Sequence, residues 1–536
     1  MTQPKVSNGR RDVLKSGVPL LAASVGLTAG CSRGASAAAQ PGQPRLGINL
    51  ADPVDWNTEL PFVDIFRLSR DWVSQPPGAS DWGKGPKLAL DESGWIKALE
   101  PNCSADSPMM SATDARYPAG NYTVLWQGDG EVDLWGAGRV TSSGTGRLVA
   151  EVTPSKGPLF LRVKKTSPSN PVRNIRILRP GFGPETPANA FHDDFLNRWR
   201  GVSCIRFMDW QHTNNSKQAS WAQRPKPTDA RFSDKGVPVE LMVDLCNRVD
   251  ADPWFCMPHL ADDSYISEFA ALVKRTLSPQ RKVYIEFSNE LWNGTFEQAR
   301  GLQAAASAGK TSLAALVAER SLNMFRLWER AFGGRDRLVR VLPTQAAGTW
   351  YTETMLKHAE VFKQADVVAI APYLSLNLPP QSQGQGQGPA AAQVESWSLE
   401  QLFDHLDKVA LPDCTGWMKG QKALADKYGL KMVAYEGGQH LLGIFGAENN
   451  EKLTRLLHAA NAHPRMGQLY ERFLDAWAAA GGDLFCHFNS VSAWSKWGSW
   501  GLLRDSLEDP AKSPKFMATM NWARKQGQKV RVPGQG

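Results

Sequence analysis

From residue 187 onward the chain repeats one pattern: a short apolar run, β-branched or aromatic, followed by a helical stretch. The runs are residues 202–208 (VSCIRFM), 254–258 (WFCMP), 282–287 (KVYIEF), 338–342 (LVRVL), 367–371 (VVAIA), 431–435 (KMVAY) and 483–488 (DLFCHF). Helical patterns are read at 239–249, 265–277, 295–308, 313–332, 399–428 and 469–480, and residues 516–525 close the chain as a helix. An eighth run, residues 45–50 (RLGINL), stands far upstream. Strand–helix alternation is the mark of a parallel sheet with crossover helices. Eight such strands can close on themselves, so the expected fold is α/β, a (β/α)8 TIM barrel.

Between the first and second runs the texture changes. Short alternating segments appear at 122–126, 131–135, 147–152, 159–163 and 172–178, separated by Gly, Pro, Ser and Asn turns. Short strands at this spacing predict an inserted antiparallel β-sandwich-like domain after the first strand. The expected organisation is a leader over 1–39, the first strand and rim over 40–80, the insert over 81–186, and the rest of the barrel over 187–530. Twenty Trp residues are many for a chain that is 42% hydrophobic and 21% charged. A Trp face suits a sugar ring as well as a core. In the insert, Trp126 and Trp135 are candidates for sugar binding, although burial in the insert's own core is the expected role.

The first 39 residues read as an export leader. Residues 8–15 (NGRRDVLK) resemble a twin-arginine signal, and the apolar run 17–30 is too short to span a bilayer comfortably. Two processing routes stand open. Residues 27–31 (LTAGC) resemble a lipoprotein box, in which a lipid on Cys31 would attach the chain to a membrane, although Thr28 stands where Leu is usual. The small residues 35–39 (ASAAA) offer an ordinary cleavage site instead. Either route places the protein outside the cytoplasm, as a periplasmic or cell-envelope lipoprotein or a secreted protein. The net charge of +8 is partly the leader's, and no dense Lys/Arg run follows, so nucleic acid is not an expected partner. No C-x-x-C occurs among seven Cys. Cys204, Cys256 and Cys486 read as core, while Cys103, Cys246 and Cys414 are open to pairing.

Two acids stand at strand tips. Glu290 follows the fourth run in Ser288-Asn289-Glu290, and Glu436 follows the seventh in Tyr435-Glu436-Gly437. A helix N-cap is the ordinary use of such a polar residue. A barrel, however, brings both tips to the face where its chemistry sits. This order resembles glycoside hydrolase clan A, the retaining (β/α)8 glycosidases that include family-five cellulases and mannanases. The likeness extends to Arg206 on strand two, His259 near strand three, Tyr373 after strand six and Trp494 after strand eight. It covers roughly residues 44–75 and 187–525 as spaced motifs.

The resemblance implies that Glu290 is the acid/base and Glu436 the nucleophile. Arg206 would keep Glu436 ionised, Tyr373 would hydrogen-bond it, and Asn289 would hold the sugar 2-OH. His259 and Trp494 would contact substrate, with Asn49 and Trp56 on the first-strand rim. The chemistry requires one carboxyl that stays protonated to reach the leaving oxygen and one ionised to attack the anomeric carbon. The pattern departs from the clan at Ala371-Pro372-Tyr373, where several families have His before the Tyr.

The expected substrate is a polysaccharide or oligosaccharide with β-linkages. No cofactor is expected: His259 with Asp262 and Asp263 lacks the H-E-x-x-H pattern of a metal site, and no G-x-S-x-G elbow is present. The rival reading is a non-catalytic glycan-binding or exopolysaccharide-assembly lipoprotein on a glycosidase-like barrel. A Gln-Gly-rich stretch at 381–393 is expected to be a mobile loop bordering the cleft.

Overall fold

Eight segments fold as parallel strands: Arg45–Asn49, Cys204–Arg206, Asp252–Met257, Val283–Phe287, Leu338–Pro343, Val367–Ile370, Lys431–Ala434 and Leu484–His487. In this computed structural model, which describes residues 42–78, 82–376 and 389–534, each strand pairs with the next in chain order. The eighth returns to the first, closing a (β/α)8 barrel. The leader with Cys31 lies outside the described residues, as does most of the Gln-Gly stretch. Its end is helical rather than loop, since Ala391–Val394 forms a short helix.

The period of two decides which side each residue serves. Leu46, Ile48, Ile205, Phe255, Ile285, Leu342 and Ile370 join the core shared with the helices. Trp254, Cys256, Tyr284, Val341, Val433 and Cys486 fill the barrel interior. Gly47 lies in register with Cys204 on one side and Cys486 on the other. A Cβ there would stand 2.7 Å from the Cys486 sulfur, so a larger residue would force the strands apart.

The helices bury one stripe each and are capped by their own sequence. Asp262 accepts from Tyr265 N to open Asp263–Thr276. Ser312 opens Leu313–Phe332, which ends on left-handed Gly333. Three helices lacked a clear signal: Asp193–Trp199, Thr349–Lys357 and Glu451–Ala462. Among the described residues no helix is long and apolar enough to cross a membrane.

Between the first and second barrel strands lie two four-stranded antiparallel sheets. One pairs Val73–Gln75, Ser104–Met109, Leu159–Thr166 and Gly130–Gly136, and the other Arg173–Leu178, Gly120–Gln127, Arg147–Val152 and Gly138–Gly144. The first sheet already begins at Val73, within the segment read as barrel rim. The strand Ser104–Met109 gave no apolar alternation because its buried residues include Asp106 and Ser107. Asp106 accepts two 2.7 Å bonds from Arg162 and one from Trp135 Nε1. Trp135 stacks on Phe160 at 4.3 Å with Arg162 over its ring, so it is packed into the sheet surface. Trp126 packs against the main core. The pairing left open for Cys103, Cys246 and Cys414 does not occur: all three are buried as free thiols.

Candidate active site

The fourth strand ends by turning sharply. Ser288 and Glu290 both adopt positive φ, +59° and +43°, a region that bulky residues enter only when their surroundings hold them there. Here Ser288 N bonds Met257 O at 2.9 Å, and Gln298 Nε2 bonds Asn289 O at 3.1 Å. The next helix begins only at Glu297, with Phe296 at its N-cap position, so Glu290 is not an N-cap. Its carboxyl accepts from Asn293 Nδ2 at 2.9 Å and from the Tyr435 hydroxyl at 3.3 Å. Tyr435 immediately precedes Glu436, so this bond ties the tip of strand seven to the tip of strand four. Beyond Glu436 the chain turns at Gly438, with φ +138°, where a Cβ would stand 2.9 Å from the His487 ring.

Arg206 holds the centre together. It is fully buried, and each of its five N–H groups has a partner. Nε and Nη2 grip Glu286 at 3.0 and 3.1 Å. Nη1 donates to Glu436 at 2.7 Å and to Asn49 at 3.2 Å, and Nη2 also donates to Asn289 at 2.9 Å. The guanidinium lies against the Tyr435 and Trp254 rings, 4.9 and 5.6 Å from their centroids. The other Glu436 oxygen accepts from the Tyr373 hydroxyl at 3.0 Å.

Glu286, which the strand reading passed over, is fully buried and also accepts from Trp254 Nε1 at 2.8 Å. A lone Glu in an otherwise apolar strand was the available signal, because such an acid needs a buried partner.

The two tip carboxyls differ in their partners. Glu436 takes one charge-assisted bond and one hydroxyl bond; Glu290 takes only neutral donors. Burial raises both above the ordinary 4.5. Glu436 reaches about 7: desolvation and the field of Glu290 outweigh the pull of Arg206 and Tyr373. The expectation that Arg206, with a Tyr373 hydrogen bond, keeps Glu436 ionised is opposed by this burial, and Arg206 also shares its charge with Glu286. Of the two, only Glu436 has a cation bonded to it.

The structure thus brings together Glu290, Glu436, Asn289, Arg206, Tyr373 and Asn49. Asn49 and Asn289 are each 1% exposed. Asn49 donates to Tyr435 O at 2.9 Å, so it positions Arg206 rather than lining a surface. Asn289 donates to Asn214 Oδ1 at 3.1 Å.

Three expected residues lie apart. Trp494 packs under Arg504, 3.7 Å from its ring, and beside His458. The Trp after strand eight that meets Tyr373 is Trp500, its ring 5.8 Å from that of Tyr373 and 5.1 Å from that of His440. The loop doubles back, Leu502 N bonding Asn489 O, and spacing alone does not reveal that return. His259 sits by the Lys217–Glu297 ion pair, and burial lowers its pKa. Trp56 is exposed in the loop after strand one, without a ring or hydrogen-bond contact to the carboxyls. Trp292, 6.1 Å from Tyr435, adds an aromatic wall. Of the residues set aside as a metal cluster, Asp262 caps a helix and Asp263 accepts from Asn323.

No family profile matches the chain, and no curated protein matches it. Similar solved structures include a 4-O-α-L-rhamnosyl-β-D-glucuronidase from Fusarium oxysporum, at 12% identity, covering 64% of this chain and 67% of that one, with TM-score 0.38. A family 26 endo-β-1,4-mannanase from Cellulomonas fimi matches at 9% identity, 63% and 68% coverage and TM-score 0.35. A family 5 endoglucanase from Clostridium acetobutylicum matches at 12% identity, 63% and 91% coverage and TM-score 0.33. These neighbours are glycoside hydrolases; the chain itself is a closed eight-stranded (β/α)8 barrel.

Proposed function

We propose that the protein is a retaining glycoside hydrolase acting on β-linked polysaccharide by double displacement. The observation that carries the reading is the unequal bonding of two carboxyls on facing strand tips. Glu436 is bonded to a guanidinium and a phenol, and Glu290 only to an amide and a phenol. In the first step the Glu436 carboxylate attacks the anomeric carbon while the Glu290 carboxyl passes its proton to the leaving oxygen. In the second, Glu290 takes a proton from water, which displaces Glu436 and restores both groups. Arg206 orients Glu436 and stabilises its charge in the resting state. Asn289 keeps one amide hydrogen for a sugar hydroxyl beyond its bond to Asn214. Tyr373, Trp500 and Trp292 supply aromatic walls of the kind sugar rings pack against. The leader-like segment supports export, with a lipid on Cys31 as the anchored form.

The test is turnover of a polysaccharide panel by the wild-type chain, E290Q and E436Q. The account expects a reducing-end product from the wild type, first released with the anomeric configuration of the bond cleaved, and none from E436Q. An E436Q chain with full activity would overturn it.

A further inference from the structure

The loop after strand eight and the insert enclose a hollow that the mechanism above does not use. It measures about 560 Å³, and its walls include Trp494 and Arg504 of that loop, Asp114 of the insert and His458 on the helix Glu451–Ala462. A neighbouring hollow of about 380 Å³ shares Asp114 and Arg504 with it. The walls are fixed. Arg116, two residues from Asp114, clamps Asp505 through Nε and Nη2 at 3.2 and 3.0 Å, which ties the insert to the loop one residue beyond Arg504. The Arg504 carbonyl accepts from Thr58 Oγ1 at 2.7 Å, and its N–H donates to the Glu508 carboxylate.

The polar groups of this hollow lack partners. The Arg504 guanidinium lies 3.7 Å from the centroid of the Trp494 ring, and among the described residues none of its N–H groups has an acceptor; its Nε is buried and unsatisfied. Trp494 is 8% exposed, and its Nε1 likewise finds no acceptor. Buried donors are seldom left in that state. Asp114 is exposed and has no ion pair among the described residues. His458 Nε2 lies 3.1 Å from Ser495 O, so the tautomer that donates there leaves Nδ1 to accept. Lys515 Nζ stands 5.4 Å from the same indole, but it is buried against Ser499 O and its pKa falls to about 7, so Arg504 supplies the fixed charge. The inventory is one cation with a planar donor edge, one carboxylate and one imidazole acceptor. A ligand that satisfies all three carries one carboxylate and several hydroxyls. A neutral sugar would leave the guanidinium without a counter-charge, and inorganic phosphate would face Asp114 with few hydrogens to donate. The volume falls within the range of small-ligand sites.

We propose that this hollow is a second glycan site, apart from the carboxyl pair, in which Arg504 pairs with the carboxylate of a uronic acid residue while Asp114 and His458 accept from its hydroxyls. A guanidinium takes a carboxylate through two parallel N–H bonds, and the Trp494 ring beneath Arg504 limits the ways it can turn. The same loop carries Trp500, which meets Tyr373, the residue bonded to Glu436. A glycan held here is thus tethered by the loop that also reaches the carboxyl pair.

The experiment is calorimetric titration of the full chain carrying E436Q, used so that no probe is hydrolysed. The probes are digalacturonate and glucuronosyl-glucose, the carboxyl-reduced counterpart of each, and inorganic phosphate. The better-bound acidic disaccharide should exceed its reduced counterpart about tenfold in affinity, the size of one charge-assisted contact, and should exceed phosphate. R504Q should bring the two members of the pair level, and R504K, which keeps the charge without the paired N–H edge, should recover only part of the difference. Thermal melts establish that both variants are folded. Hydrogen exchange on the chain without a substitution at Arg504 should show protection by the acidic probe in residues 113–116 and 494–504. No acidic probe that outbinds its reduced counterpart, phosphate bound as tightly, protection confined to the residues around Glu290 and Glu436, or a folded R504Q with undiminished preference would each overturn the inference. Binding is read without turnover, so a chain that cleaves no glycan would overturn the glycosidase reading and leave this site standing.

Discussion

Glu436 should weaken the fold at the pH where it works. The carboxyl is 5% exposed, and its pKa rises from 4.5 to about 7 on folding. A carboxyl raised in this way favours the folded state below 4.5, and that contribution is lost as pH climbs through 7. The difference, at about 1.4 kcal/mol per pH unit, amounts to about 3 kcal/mol. Replacing Glu436 by Gln keeps shape and hydrogen bonds: the amide oxygen can accept from Arg206 and the amide nitrogen can donate to the Tyr373 oxygen. Arg206 remains neutralised by Glu286. E436Q should therefore be more stable than the wild type at pH 8 by about 3 kcal/mol, and equal to it near pH 4.5. With an unfolding entropy of roughly 1 kcal/mol per kelvin for a chain of this size, the midpoint should rise by about 3 °C. Calorimetry of both chains from pH 4.5 to 8 reads the gap directly. A variant less stable at pH 8, or a gap that does not change with pH, would refute the argument that burial leaves this carboxylate strained.

Other perturbations act through the same cluster. Arg206→Met strands two buried acids and should cost about 3–5 kcal/mol in urea unfolding; wild-type stability would contradict the placement of Glu286 and Glu436. Glu286→Gln leaves the guanidinium charge to Glu436 alone, so the acid limb of kcat/KM, expected near pH 7 because the nucleophile must be ionised, should move to lower pH. An unmoved or rising limb would count against the sharing of Arg206. Tyr373→Phe removes a donor from the charged form of Glu436, so the same limb should move upward and activity at pH 6 should fall about tenfold; an unchanged profile would remove Tyr373 from the site.

The barrel was legible because its strands are apolar on both faces and alternate with helices of a different period. All eight appear where the runs predicted them. The strand tips followed, and with them Glu290, Glu436, Arg206 and Tyr373. Glu286 was hidden by its apolar neighbours, since its partner lies 80 residues upstream. Trp494 and Trp500 are indistinguishable by composition, and the doubled-back loop after strand eight decides between them. Ser104–Met109 and Gly138–Gly144 were missed in the insert for a related reason. One buries polar residues that pair across the sheet, and the other is mostly exposed and rich in Ser and Gly.

The division of labour between the two carboxyls is tested most directly by chemical rescue. With Glu290→Ala, azide should intercept the sugar held on Glu436 and release a glycosyl azide of the same anomeric configuration as the substrate. With Glu436→Ala, azide should attack in place of the missing carboxylate and give the opposite anomer. NMR of the two products distinguishes them. Opposite anomers in that assignment are the result this account predicts; the same anomer from both variants, or the assignment reversed, would contradict it.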